Sequence, residues 1–118
     1  DVVLLTPGGR HARLPVQGKV SLTEEPPIGG LRPRADLTIA DAAKLYGRNL
    51  LLVVLTGMGR DGQEGAEAVK RHGGRVIVEA ESTCTVYGMP RSVAEAGLAD
   101  LELPLHELPE AIAKEAGR

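Results

Sequence analysis

Six consecutive aliphatic residues, Leu50, Leu51, Leu52, Val53, Val54 and Leu55, run directly into Thr56-Gly57-Met58-Gly59-Arg60-Asp61-Gly62. A run that is apolar on both faces suits a strand covered on both sides, as in a parallel sheet flanked by helices. In an open α/β sheet, ligands bind where such strands end and a loop turns into the next helix. The pair therefore predicts a parallel α/β core with residues 50–55 as its central strand. The loop at 56–62 is where chemistry should be sought.

The surrounding pattern fits that frame. Ala66 and Val69, with Gly73-Gly74 as a stop, predict a helix over about 62–72, and Arg75-Val76-Ile77-Val78-Glu79 follows as a strand. Strand, helix and strand make a right-handed crossover. Upstream, Leu37, Ala40, Ala43, Lys44 and Leu45 recur at helical spacing and Gly47 closes them, predicting a helix over about 36–46. Residues 2–5 read as a strand ended by Thr6-Pro7-Gly8-Gly9, and residues 11–14 and 19–23 flank a Gly-containing loop as a hairpin. The Pro- and Gly-rich stretch 24–33 can hold neither helix nor interior strand. Downstream, the pattern predicts a short turn at 82–85, a helix over 90–96, a strand over 100–103 and a last helix over 106–116. Pro109 fits in the first turn of that helix. The expected class is α/β, a doubly wound, mostly parallel sheet with an inserted β-hairpin.

Charge and composition narrow the function. The 118 residues carry a net charge of −2 and include two Tyr, no Phe and no Trp, which leaves neither a phosphate-neutralising surface nor a stacking platform for nucleic acid. One Cys and three isolated His lack the paired spacing of a zinc site, so neither a metal nor a cofactor is expected. No apolar run approaches the ~20 residues of a membrane helix, and no secretory signal pattern is present. A cytoplasmic location follows as the expectation. The chain starts at Asp1, without an initiator Met and directly before a strand-like run. It therefore reads as one partial domain, residues 1–118.

The glycine loop supports three readings. Gly57, Gly59 and Gly62 satisfy the G-x-G-x-x-G spacing, with Glu79 as a ribose-binding acid, so a dinucleotide module is one. Against it, Asp61 at the helix start would repel a diphosphate. A second reading makes Asp61 and Glu64 a capping box for the helix that follows. In a third, the glycines present the Asp61 carboxylate at a strand tip, where it could orient a His Nδ1–H and stabilise the imidazolium. Capping and catalysis are compatible if one oxygen serves each.

Four segments in order, TPGGRH at 6–11, EPPIGGLRPRAD at 25–36, TGMGRDG at 56–62 and TCTVYGMPR at 83–91, together resemble the catalytic domain of chemotaxis protein-glutamate methylesterases of the CheB type. The resemblance spans nearly the whole chain but covers only the later part of that domain. It implies a Ser-His-Asp hydrolase that removes methyl groups from glutamate methyl esters on the cytoplasmic helices of chemoreceptors, usually under an N-terminal receiver domain. Asp61 matches the family's triad carboxylate, the backbone near Met58 with Gly57 and Gly59 matches its oxyanion site, and Tyr87, Gly88 and Met89 match the cleft wall. Arg32 and Asp36 fit its RPxxD pattern, whereas Arg34 stands where a small residue is usual, and Gly29, Gly30 and Leu31 depart from its polar residues.

The resemblance puts the nucleophile and base upstream of anything present here. Ser21, Ser82 and Ser92 do not occupy a tight Gly-flanked turn. His72 falls at a helix end, His106 begins the last helix, and His11 matches a family position that is not the base. Cys84 reads as a small packing residue. The chain is thus expected to supply Asp61 and part of a cleft, to be inactive alone, and to self-associate through a sheet edge left unpaired. A non-catalytic interaction domain derived from the same fold is the remaining alternative.

Overall fold

The computed structural model describes residues 2–117. Its elements are β1 (His11–Arg13), β2 (Ser21–Thr23), α1 (Ala35–Tyr46), β3 (Leu51–Val54), α2 (Gln63–Arg71), β4 (Arg75–Glu79), α3 (Gly88–Glu95), β5 (Leu101–Leu103) and α4 (Leu108–Glu115). Short 3-10 turns occupy Gly47–Asn49, Glu81–Thr83 and Leu105–Glu107.

The strands β3, β4 and β5 form a parallel sheet in that order, with Leu52 opposite Val76, Val54 opposite Val78 and Ile77 opposite Leu101. The central strand is therefore β4, which buries Val76, Ile77 and Val78 completely. This corrects the expectation for residues 50–55. Among the described residues β3 pairs on one side only, leaving Leu51, Leu52 and Val53 half-buried. Aliphatic composition reports that a strand wants cover on both faces, and says nothing about its rank in the sheet. Val54, Ala66, Val69, Val76, Val78 and Val93 close the core between sheet and helices. Each fully buried valine side chain contributes about 1.5–3 kcal/mol.

The predicted hairpin forms as β1–β2, with His11 paired to Thr23 and Arg13 to Ser21. It is fastened to α1 by a fork: Arg13 Nε and Nη2 donate to the two oxygens of Asp41 at 2.8 and 2.9 Å. The Leu14 N–H adds a third bond to Asp41. The Arg13 fork, reinforced by that N–H, holds the Asp41 carboxyl below the usual carboxylate range.

The strand expected at 2–5 does not form. Residues 2–5 take no regular structure, and Val3 and Leu5 are 97% and 94% exposed, since no described strand lies beside them. Pro90 falls in the first turn of α3, which starts two residues before the expected position, and Pro109 occupies the first turn of α4. No helix among the described residues is long and apolar enough to cross a membrane.

Candidate active site

The loop after β3 is tied down at both ends. Glu79, at the tip of β4 and almost fully buried, accepts the Thr56 N–H at 2.8 Å on one oxygen and the Thr83 hydroxyl at 2.9 Å on the other. The Thr56 hydroxyl in turn donates to the Val86 carbonyl and accepts the Val86 N–H. Gly57 N–H donates to Val86 O, and Met89 N–H donates to Gly57 O at 2.8 Å. These bonds stitch 56–57 to 86–89. Glycine is needed at 88 for this approach, because a Cβ there would lie 3.0 Å from Gly59 N and 3.1 Å from Gly57 O.

Asp61 follows on this anchored loop, and its carboxylate is buried against the start of α1. Oδ2 accepts the Ala35 N–H at 2.7 Å, Oδ1 accepts the Asp36 N–H at 2.9 Å, and Arg34 Nε lies 3.1 Å from Oδ1. Asp36 returns the arrangement: its Oδ1 accepts the Gly62 and Gly65 N–H groups, each at 2.8 Å, at the start of α2. Its Oδ2 takes two bonds from Arg34, from Nη2 at 2.7 Å and Nε at 2.9 Å. Bonding to Asp36 pushes the Arg34 guanidinium above its ordinary pKa. The capping box of Asp61 with Glu64 is therefore corrected. Asp61 caps α1, Asp36 caps α2, and the α2 N-cap position is Gly62, whose φ of +103° favours glycine.

The same contacts dispose of the dinucleotide reading. The α2 N–H groups that would cradle a diphosphate are bonded to the Asp36 carboxylate, and both Glu79 oxygens are engaged inside the fold. An internal anion already occupies that helix start.

A carboxylate offers about four acceptor positions. Hydrogen bonds fill two at Asp61, one on each oxygen, and Arg34 Nε, whose N–H is donated to Asp36, lies beside Oδ1 at ion-pair distance, so Oδ2 keeps one open. Asp61 lines a groove of about 530 Å³ with Pro33, Ala35, Val54, Thr56 and Met89, alongside the free edge of β3. It also lines a second groove, with Met58, Gly59 and Arg34. Met58 is 84% exposed, and among the described residues its N–H meets no internal acceptor, whereas the Gly57 N–H is spent on Val86. Tyr87 turns away: its hydroxyl donates to Glu102 on β5, and it lines neither groove.

The remaining candidates are structural. His11 is fully buried, its Nδ1 accepting the Arg34 N–H at 3.1 Å, so the ring proton sits on Nε2 and is donated to Pro26 O at 3.0 Å. His72 Nδ1 bonds the Ala68 carbonyl at its own helix end, and Ser92 donates to Met89 O. Burial, with Glu79 beside it, pushes the Cys84 thiol pKa up, which suits a packing residue. Sequence reasoning missed the exchange of caps between Asp36 and Asp61, the Arg34 bridge and the anchoring role of Glu79. The available signal was an acid at the start of each of two successive helices.

Residues 1–112 match the family model described as CheB methylesterase. The chain is 41% identical over 113 residues to a protein-glutamate methylesterase/protein-glutamine glutaminase of Clostridium acetobutylicum, covering 96% of this chain and 33% of that protein. A Thermotoga maritima protein of the same description is 46% identical over 111 residues, covering 92% of this chain and 32% of its own length. The crystal structure of the Thermotoga maritima CheB methylesterase catalytic domain superposes with a TM-score of 0.88 at 42% identity, over 92% of this chain and 59% of that one. The chain thus spans about one third of the curated relatives and under two thirds of the solved domain. The chain belongs to the CheB methylesterase family.

Proposed function

We propose that the chain is the Asp-bearing portion of a protein-glutamate methylesterase that hydrolyses glutamate methyl esters on the cytoplasmic helices of chemoreceptors. In this reading Ser and His lie on the part of the domain that these residues do not cover. The observation that supports it is the Asp61 carboxylate, held by two backbone N–H groups, one on each oxygen, with Arg34 at ion-pair distance from Oδ1 and an acceptor position of Oδ2 still open. That position accepts the Nδ1–H of the base and stabilises the imidazolium formed when His takes the Ser proton. The serine oxygen attacks the ester carbonyl, and His returns the proton to the departing methanol. Water, activated by the same His, then releases the glutamate from the acyl-enzyme. The Met58 N–H, on an exposed residue and without an internal acceptor among the described residues, is the loop donor best suited to the oxyanion, and Met89 walls the cleft. A cytoplasmic setting and an attached receiver domain belong to the same reading. The open β3 edge is where the remainder of the domain, or a second copy, pairs.

The test joins residues 1–118 to the part of the Thermotoga maritima catalytic domain that they do not cover, giving a complete domain. Release of methanol from a methylated receptor by this domain, and none by residues 1–118 alone, is the expected result. Asp61-dependent hydrolysis by the isolated chain would overturn the division of labour.

A further inference from the structure

We infer that Arg34 sets how much negative charge Asp61 presents to the imidazolium, as a positioning residue that acts on the base only through Asp61. The inference rests on the role given to Asp61 above and adds how that role is regulated. The Arg34 guanidinium is shared between two buried carboxylates, at 2.7 and 2.9 Å from Asp36 Oδ2 and 3.1 Å from Asp61 Oδ1. It is itself fixed, since the Arg34 N–H is held by His11 and Nη1 by the Ile28 carbonyl at 3.3 Å. Two carboxylates and one guanidinium leave a fixed charge of about −1, and two helix N-termini supply about +0.5 each. The cluster is close to neutral, which is why both carboxylates can stay buried.

Other charges near the groove do not share this position. Arg60 donates to Gln63 instead, while Glu64 and Glu67 of α2 are exposed and line the same groove as Arg34 and Asp61, the Glu64 charge adding to those that favour the Arg34 cation. From β1 the ring of His11 meets the Arg34 backbone and not the guanidinium. Arg34 is therefore the one cation within ion-pair distance of Asp61 among the described residues.

A purely structural clamp and a charge-setting residue predict different pH behaviour. In the complete domain, Arg34→Gln leaves a fixed charge of about −2 and should move the acid limb of kcat/KM upward by about half to one pH unit, because the imidazolium gains stability. Asp36→Asn keeps an oxygen for Gly62 and Gly65 while raising the fixed charge to about zero, and should move the limb down. The double variant restores about −1 and should return the limb to its original place. If Arg34→Gln does not fold, the downward shift in Asp36→Asn remains the readout. Acid limbs that stay put in folded, active variants would overturn the inference. Asp61→Asn in the same domain separates the two claims. If that variant keeps its rate, the reading of Asp61 falls and this inference with it. If it loses its rate while the limbs stay put, only the role of Arg34 falls.

Discussion

Asp36 and Asp61 cap each other's helices: the Asp61 carboxylate holds the first N–H groups of α1, and the Asp36 carboxylate holds those of α2. Asp61 stands just before α2 yet serves α1, and Asp36 stands in the first turn of α1 yet serves α2, so the two helix starts and the loop between β3 and α2 form one unit. A single change at either residue disturbs both.

This exchange makes Asp36 as important to stability as any core valine. In the complete domain Asp36→Ala leaves two buried N–H groups and the Arg34 guanidinium without their acceptor, and the expected loss is about 3–5 kcal/mol. Asp36→Asn, which retains one oxygen, should lose clearly less. Urea unfolding midpoints decide this, and an Ala variant within about 0.5 kcal/mol of the parent would contradict it.

The β3 edge predicts association. Residues 1–118 alone expose one side of Leu51–Val54 and the apolar residues at 2–5, so light scattering should find oligomers at micromolar concentration. Val53→Lys places a charge on that edge and should shift the distribution toward monomer. A parent chain that is monomeric with one cooperative unfolding transition would contradict the prediction.

Tyr87 offers a pH test of the loop's far wall. Its hydrogen bond to Glu102, aided by burial and the charge of that glutamate, pushes the phenol up to about 12. A free tyrosine ionises near 10, so the folded state favours the neutral phenol. The resulting stability is complete below about pH 10 and is lost as pH rises toward 12. Phenolate absorbance should show a late step that Tyr87→Phe removes and Glu102→Gln moves to lower pH. A late step that survives Tyr87→Phe would contradict the assignment.

Much of the fold was legible in local pattern. The stops at Gly47 and Gly73-Gly74, the apolar spacing of α1 and the run Arg75–Glu79 locate their elements within a residue or two. Sheet order was not legible, because composition cannot say whether β3 or β4 has two neighbours. The segment at 2–5 has strand chemistry without a strand partner among the described residues. At the site, the loop and Asp61 were visible as a motif. The partner of Asp61 was not, because the contact joins residues 25 and 26 positions apart and local capping rules consider only the next turn. His11 and Glu79 look reactive by type, yet burial and complete hydrogen bonding make them fasteners.

The most direct test of the account is kcat for methanol release by the complete domain carrying Asp61→Asn, measured well below the variant's unfolding midpoint and normalised to the folded fraction. Because both Asp61 oxygens accept hydrogen bonds, Asn keeps only part of the α1 cap, and a loss of about 1–3 kcal/mol in stability is expected from that alone. Catalysis should fall much further, by about 10³–10⁴-fold, because an amide in place of the carboxylate neither orients the base correctly nor stabilises its cation. A folded Asn variant that turns over within about tenfold of the parent would remove Asp61 from the triad and leave it as the cap of α1.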